Sequence, residues 1–117
     1  MTRVIVVEDD ADIRQVISEA LDDEGYQVTG ATDGVSALRL VAEQPPDIAI
    51  VDLMMPQLDG LGFLAECRAD PRCASMRVIV ISAATSARLD GLQVEAVITK
   101  PFDLNALVDT VASIASV

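Results

Sequence analysis

The sequence predicts an α/β fold, a single doubly wound five-stranded parallel sheet with helices on both faces, and three observations carry that expectation. Apolar β-branched runs alternate five times with segments whose apolar residues recur at helical spacing, as strand–helix–strand crossovers require. The 117 residues fit one such domain, and 51% hydrophobic content with a mean hydropathy of +0.41 is ample for its core, which excludes an intrinsically disordered chain. Finally, four runs stop on reactive side chains: VIVVEDD (4–10), IAIVDLMMP (48–56), VIVIS (78–82) and VITKP (97–101). If the strands are parallel these ends share one edge, so Glu8, Asp9, Asp52, Ser82 and Lys100 converge where open α/β sheets bind ligands.

Arg3 to Val7 reads as the first strand. An Asp at position 10 or 12 caps the helix that follows. Its stripe is Ile13, Val16, Ile17, Ala20 and Leu21, at i, i+3, i+4, i+7 and i+8, and it stops near Gly25. Gln27 to Ala31 is a shorter, more polar strand, expected at an edge. Val35, Leu38, Val41 and Ala42 mark a second helix, stopped by Pro45 and Pro46. Ile48 to Val51 is the most apolar short strand and is expected at the centre, with a loop from Leu53 to Gly60 behind it. Leu61, Leu64, Ala65 and Arg68 predict a third helix ending before Pro71. Val78 to Ile81 and Val94 to Ile98 are the last two strands. Only Ala83 to Gln93, interrupted by Gly91, connect them, and a crossover needs about a dozen residues, so its helix is short or irregular. Leu104, Leu107, Val108, Val111 and Ile114 form the final helical stripe. Residues 1–117 read as one domain, either stand-alone or a piece of a longer protein, with the end just after the last helix leaning slightly to the former.

Composition removes several functions. Nineteen acidic against eight basic residues give a net charge of −11 and a pI near 4.1, so nucleic-acid phosphates and anionic lipid are repelled, and no basic cluster offsets this. Val4 to Val7 is too short for a signal-peptide core and nothing approaches a membrane span, so a cytoplasmic location is expected. Cys67 and Cys73 form no CxxC, which argues against a zinc site or a disulfide framework; Cys67 reads as a small buried apolar residue on the third helix and Cys73 as loop. Gly60-Leu61-Gly62 lacks the third glycine of a nucleotide loop. Histidine is absent, which excludes Ser-His-Asp hydrolysis and any phosphohistidine donor role. Phosphate chemistry must then run on carboxylate.

Two carboxylates about 4 Å apart repel by roughly 4 kcal/mol at an effective dielectric of about 20. Three at the rim of a buried sheet need a counter-charge, which a hard divalent cation with oxygen ligands provides on one side and Lys100 on the other. Asp52 is then expected as the nucleophile toward phosphorus, with charge neutralised by the metal, Lys100 and the Ser82 hydroxyl. An aspartate-nucleophile phosphatase commonly wants a second acid two residues on, and position 54 is Met.

The four motifs, VVEDD, VDLMMPQLDG, VIVISAA and KPF, in this order and over essentially the whole chain, resemble the receiver domains of two-component response regulators. The resemblance implies a flavodoxin-like sheet of order 2-1-3-4-5. It implies Asp52 as phosphoacceptor; Glu8, Asp9, Asp52 and the Met54 backbone carbonyl as ligands of Mg²⁺ or Mn²⁺; Ser82 and Lys100 on the phosphate; and a cis peptide before Pro101. It implies a histidine kinase or phosphotransfer protein as donor, a downstream protein effector, a monomer or phosphorylation-dependent dimer, and no direct contact with nucleic acid or membrane. The domain would be regulatory and not an enzyme, beyond self-phosphorylation from small phosphodonors and self-dephosphorylation. Two departures touch output: Val97 stands where the family usually carries Tyr or Phe, and the segment after Ser82 is shorter than usual. The response is therefore expected in the Ser82 loop and the segment behind it; the alternative is a degenerate receiver acting as a constitutive docking domain.

Overall fold

Ile48 to Asp52 is buried at every position, and this strand takes the centre of the sheet. The computed structural model describes residues 2–53, 60–73, 75–82 and 94–115. Along them run β1 (Arg3–Val7), α1 (Ala11–Asp23), β2 (Gln27–Ala31), α2 (Gly34–Glu43), β3 (Ile48–Asp52), α3 (Gly60–Ala69), a 3₁₀ turn (Pro71–Cys73), β4 (Arg77–Ser82), β5 (Ala96–Thr99) and α4 (Leu104–Ala115). The strands lie in the order β2-β1-β3-β4-β5 and every pairing is parallel. This is the doubly wound, flavodoxin-like order, with the polar β2 at one edge.

Successive strand residues face opposite sides, so the sheet supplies two cores. Val4, Val6, Ile48, Ile50, Ile79 and Ile81 pack with Ile17 and Leu21 of α1 and Leu107 and Val111 of α4. Ile5, Val7, Ala49, Val51, Val78 and Val80 pack on the other side with Ala37 and Val41 of α2 and Phe63, Leu64 and Cys67 of α3. Side chains of this kind contribute roughly 1.5–3 kcal/mol each when fully buried, which is why all three inner strands read as unbroken apolar runs.

Local signals set the helix ends. The Asp10 carboxylate caps α1 by accepting from the N–H groups of Asp12 (2.9 Å) and Ile13 (3.2 Å). Beyond the other end Gly25 has φ +94°, a conformation in which a Cβ is strained. Asp33 caps α2 through the Ser36 N–H, 2.7 Å away.

Strand five and Cys73 differ from expectation, and the structure also fixes which residues of each helix are buried. Strand five is Ala96–Thr99, not 94–98: Glu95 precedes the ladder and its N–H donates to the Val78 carbonyl. In α3 the buried residues are Phe63, Leu64 and Cys67, whereas Ala65 is exposed and Arg68 only partly buried. Apolar residues occur nearly all round this helix, so spacing alone could not fix its buried face. In α2 the buried residues are Gly34, Ala37 and Val41, with Val35 and Ala42 exposed; small residues face the sheet and allow close approach, which a count of large side chains misses. Val16 of the α1 stripe is likewise 49% exposed. Finally, Cys73 is not loop but the buried end of the 3₁₀ turn, packed in the α2–α3 core. The crossover 83–93 and Met54 lie outside the described residues.

Candidate functional site

Register brings the reactive strand ends together. Val7 pairs with Val51, so Glu8, one residue on, is level with Asp52. Asp52 pairs with Ile81, and Ser82 with Thr99, so Ser82 and Lys100 follow one step further along the same edge. The pleat then selects the face. Glu8 continues the alternation Val4–Val6, Asp52 that of Ile48–Ile50, and Lys100 that of Ala96–Ile98, all toward the α1–α4 side. Ser82 continues Val78–Val80 toward the other side and is joined to Lys100 through the backbone, the Lys100 N–H donating to its carbonyl at 2.8 Å.

Lys100 Nζ donates to Glu8 Oε1 at 3.0 Å and to Asp52 Oδ2 at 2.9 Å. Glu8, Asp52 and Ser82 are 1%, 3% and 2% exposed, the polar residues buried most deeply among those described. Burial pushes the Glu8 carboxyl from its ordinary 4.5 up to about 7, the hydrogen bond with Asp52 adds to the rise, and the Lys100 ammonium opposes it. Burial pulls the Lys100 pKa down, but its hydrogen bonds to Asp52 and Glu8 outweigh this and raise it. One positive charge among three acids leaves excess negative charge. Glu8, the exposed Asp9 and Asp52 place carboxylate oxygens within 4.8 Å of one another. An all-oxygen donor set beside an incompletely neutralised buried carboxylate pair fits a hard divalent cation.

Of the other sequence-predicted positions, Val97 is 46% exposed on β5 and the Lys100–Pro101 peptide is cis. One contact was not anticipated. Arg14 Nη1 donates to the Glu8 carbonyl oxygen at 2.8 Å. A single arginine on an otherwise exposed stretch of α1 carries no chemical signature; only its position, six residues after Glu8 on a helix that folds back on the strand, hinted at it.

Residues 4–112 match the response regulator receiver domain family. The chain is 37% identical over 107 residues to the response regulator MprA of a Mycobacterium species (strain KMS), covering 90% of this chain and 46% of that one. The receiver domain of response regulator 1452 of Francisella superposes with a TM-score of 0.88 at 32% identity, covering 99% of this chain and 98% of that one. Response regulator TrrA of Thermotoga maritima, solved in complex with Mg²⁺–BeF, superposes with a TM-score of 0.86 at 28% identity, covering 97% and 99%. The chain belongs to the response regulator receiver domain family, the regulatory phosphoacceptor class of two-component signalling. It spans less than half the length of the curated relatives it matches. No helix among the described residues is long and apolar enough to cross a membrane.

Proposed function

We propose that residues 1–117 form one receiver domain whose Asp52 accepts a phosphoryl group from the phosphohistidine of a histidine kinase or phosphotransfer protein. The observation that carries this reading is the Lys100 ammonium held between Glu8 and Asp52 at the carboxyl edge of the sheet. A carboxylate oxygen of Asp52 attacks phosphorus as the P–N bond breaks; the ring nitrogen leaves with the electron pair and Asp52 becomes an acyl phosphate. Lys100 is already within hydrogen-bonding distance of the acceptor, so it orients the carboxylate before transfer and faces the added phosphate charge after it. Glu8, Asp9, Asp52 and the Met54 carbonyl would hold Mg²⁺, or Mn²⁺, which when bound neutralises phosphoryl charge. Ser82 is the hydroxyl closest in register to the acceptor and would report its phosphorylation to the following segment and so to a protein effector.

The same pocket would take phosphate from small donors such as acetyl phosphate and lose it by hydrolysis, with no other turnover. We place the domain in the cytoplasm, as a monomer or a phosphorylation-dependent dimer, without direct nucleic-acid contact. A second reading, a degenerate receiver used as a constitutive docking domain, draws on the exposed Val97 in place of an aromatic residue. Intact mass after incubation with Mg²⁺ and acetyl phosphate separates the two. Wild type should gain one phosphoryl group and Asp52→Asn none, since an amide does not attack phosphorus as a carboxylate does. Labelling that persists in Asp52→Asn would reject Asp52, and an unlabelled wild type would favour the docking reading.

A further inference from the structure

Glu8 sits where the β1–β2 ladder ends. Its N–H donates to the Ala31 carbonyl at 3.0 Å, one step beyond the last pair, Val7 with Ala31. In a parallel ladder the next donor, for the Glu8 carbonyl, would be the N–H two residues after Ala31. That residue is Asp33, and there the chain has turned away to cap α2. The Glu8 carbonyl instead accepts from Arg14 Nη1 at 2.8 Å in a partly buried contact. Arg14 reaches it by lying across β2 at Gly30, where a Cβ would stand 3.1 Å from Arg14 Cδ and 3.4 Å from Cγ. The absent side chain makes the channel through which the guanidinium reaches the loop.

That carbonyl belongs to the Glu8–Asp9 peptide. Fixing its plane fixes the direction in which the chain leaves β1, and hence where the Asp9 carboxylate stands relative to Glu8 and Asp52. We propose that Arg14, admitted by Gly30, is a positioning residue that holds the Glu8–Asp9 peptide so that the three carboxylates converge on a divalent cation. The proposal rests on the phosphoacceptor reading above and adds a residue to it that touches neither phosphate nor metal.

Charge and position predict opposite signs. A cation near an acidic cluster weakens binding of a second cation, so removing Arg14 purely as a charge would tighten Mg²⁺. Removing it as a positioning group weakens Mg²⁺, by about tenfold where a ligand loses its orienting partner. A role confined to fold stability would lower the melting temperature and leave the affinity of the folded protein unchanged.

The experiment is Mg²⁺ titration calorimetry on wild type, Arg14→Ala, Arg14→Lys and Gly30→Val, with the melting temperature of each and mass-detected labelling of wild type by acetyl phosphate. Gly30→Val keeps the arginine charge and suits an edge strand, but crowds the side chain out of its channel, so it serves even if Arg14→Ala folds poorly. Weaker Mg²⁺ binding in Arg14→Ala and Gly30→Val, with Arg14→Lys between them and wild type, is the expected result. Affinity equal to or tighter than wild type in both Arg14→Ala and Gly30→Val, with wild type labelled normally, overturns the positioning role and leaves the phosphoacceptor reading standing. A wild type that neither binds Mg²⁺ nor takes phosphate removes that reading, and this inference with it.

Discussion

A buried glutamate that keeps its proton to about pH 7 makes the metal-free pocket sensitive to pH in a definite direction. Glu8 in the unfolded chain titrates near 4.5 and in the folded chain near 7, so between these values the folded state binds more protons. Its contribution to stability is fully present below about 4.5 and is lost as pH rises through about 7. Metal-free wild type should therefore melt at progressively lower temperature from pH 5 to pH 8, and Glu8→Gln should flatten that slope because a permanently neutral amide has nothing to release. Added Mg²⁺, which prefers the charged carboxylate, should stabilise more at pH 8 than at pH 5. Parallel slopes in the two proteins would show that Glu8 is not the titrating group. The positions of Glu8, Asp52 and Lys100 were legible as the ends of apolar runs. The altered proton affinity was not, because it depends on how completely neighbouring chains exclude water and on which carboxylate ends up beside which.

Strands were easier to read than helix faces. β1 and β2 coincide with the expected runs, and β3 and β4 extend beyond theirs by a residue or two, because β-branched sequences bounded by Pro, Gly and acids leave few alternatives. Helix faces depend on packing against a particular sheet surface. Val35 and Ala65 look as apolar as their neighbours yet lie outside, while Ala37 and Phe63 are completely buried. Phe63 is the clearest test of the buried α3 face. Phe63→Ala should lower the unfolding free energy by about 3–5 kcal/mol, as deletion of a fully buried ring does. Ala65→Glu should change it by no more than about 0.5 kcal/mol. Urea unfolding of both variants decides the matter, and comparable losses would show that Ala65 shares the buried face. The same core explains the chemistry of Cys67, whose thiol is pushed up to about 12, chiefly by burial, and is correspondingly unreactive.

The molecule as a whole carries a net charge of −11, and three of its acids are gathered at one edge of one sheet. Self-repulsion of this kind opposes compactness, and salt screens it over a Debye length of about 10 Å at 0.1 M. Raising NaCl from about 10 to about 150 mM should raise the melting temperature of the metal-free protein by a few degrees. A melting temperature that falls would mean that attractive pairs such as Lys100 with Glu8 and Asp52 outweigh the repulsion. At this scale the parallel sheet and its reactive edge were visible in the sequence because both follow from the order of apolar runs. Which side chains meet at that edge follows from register and pleat, and these set Lys100 toward Glu8 and Asp52 while Ser82 continues the opposite face.

Glu8 and Lys100, joined at 3.0 Å, stand 92 positions apart in the chain. During synthesis the acids therefore emerge long before the lysine that balances them, and a chain that has reached only β3 carries Glu8, Asp9 and Asp52 with no partner strand to bring the cation in. Contacts so distant in sequence carry a large loop-closure cost before they are rewarded, which slows folding. If Asp52 accepts a phosphoryl group with Lys100 beside it, as proposed, that pocket is completed only when β5 pairs with β4, and competence arrives together with the completed fold.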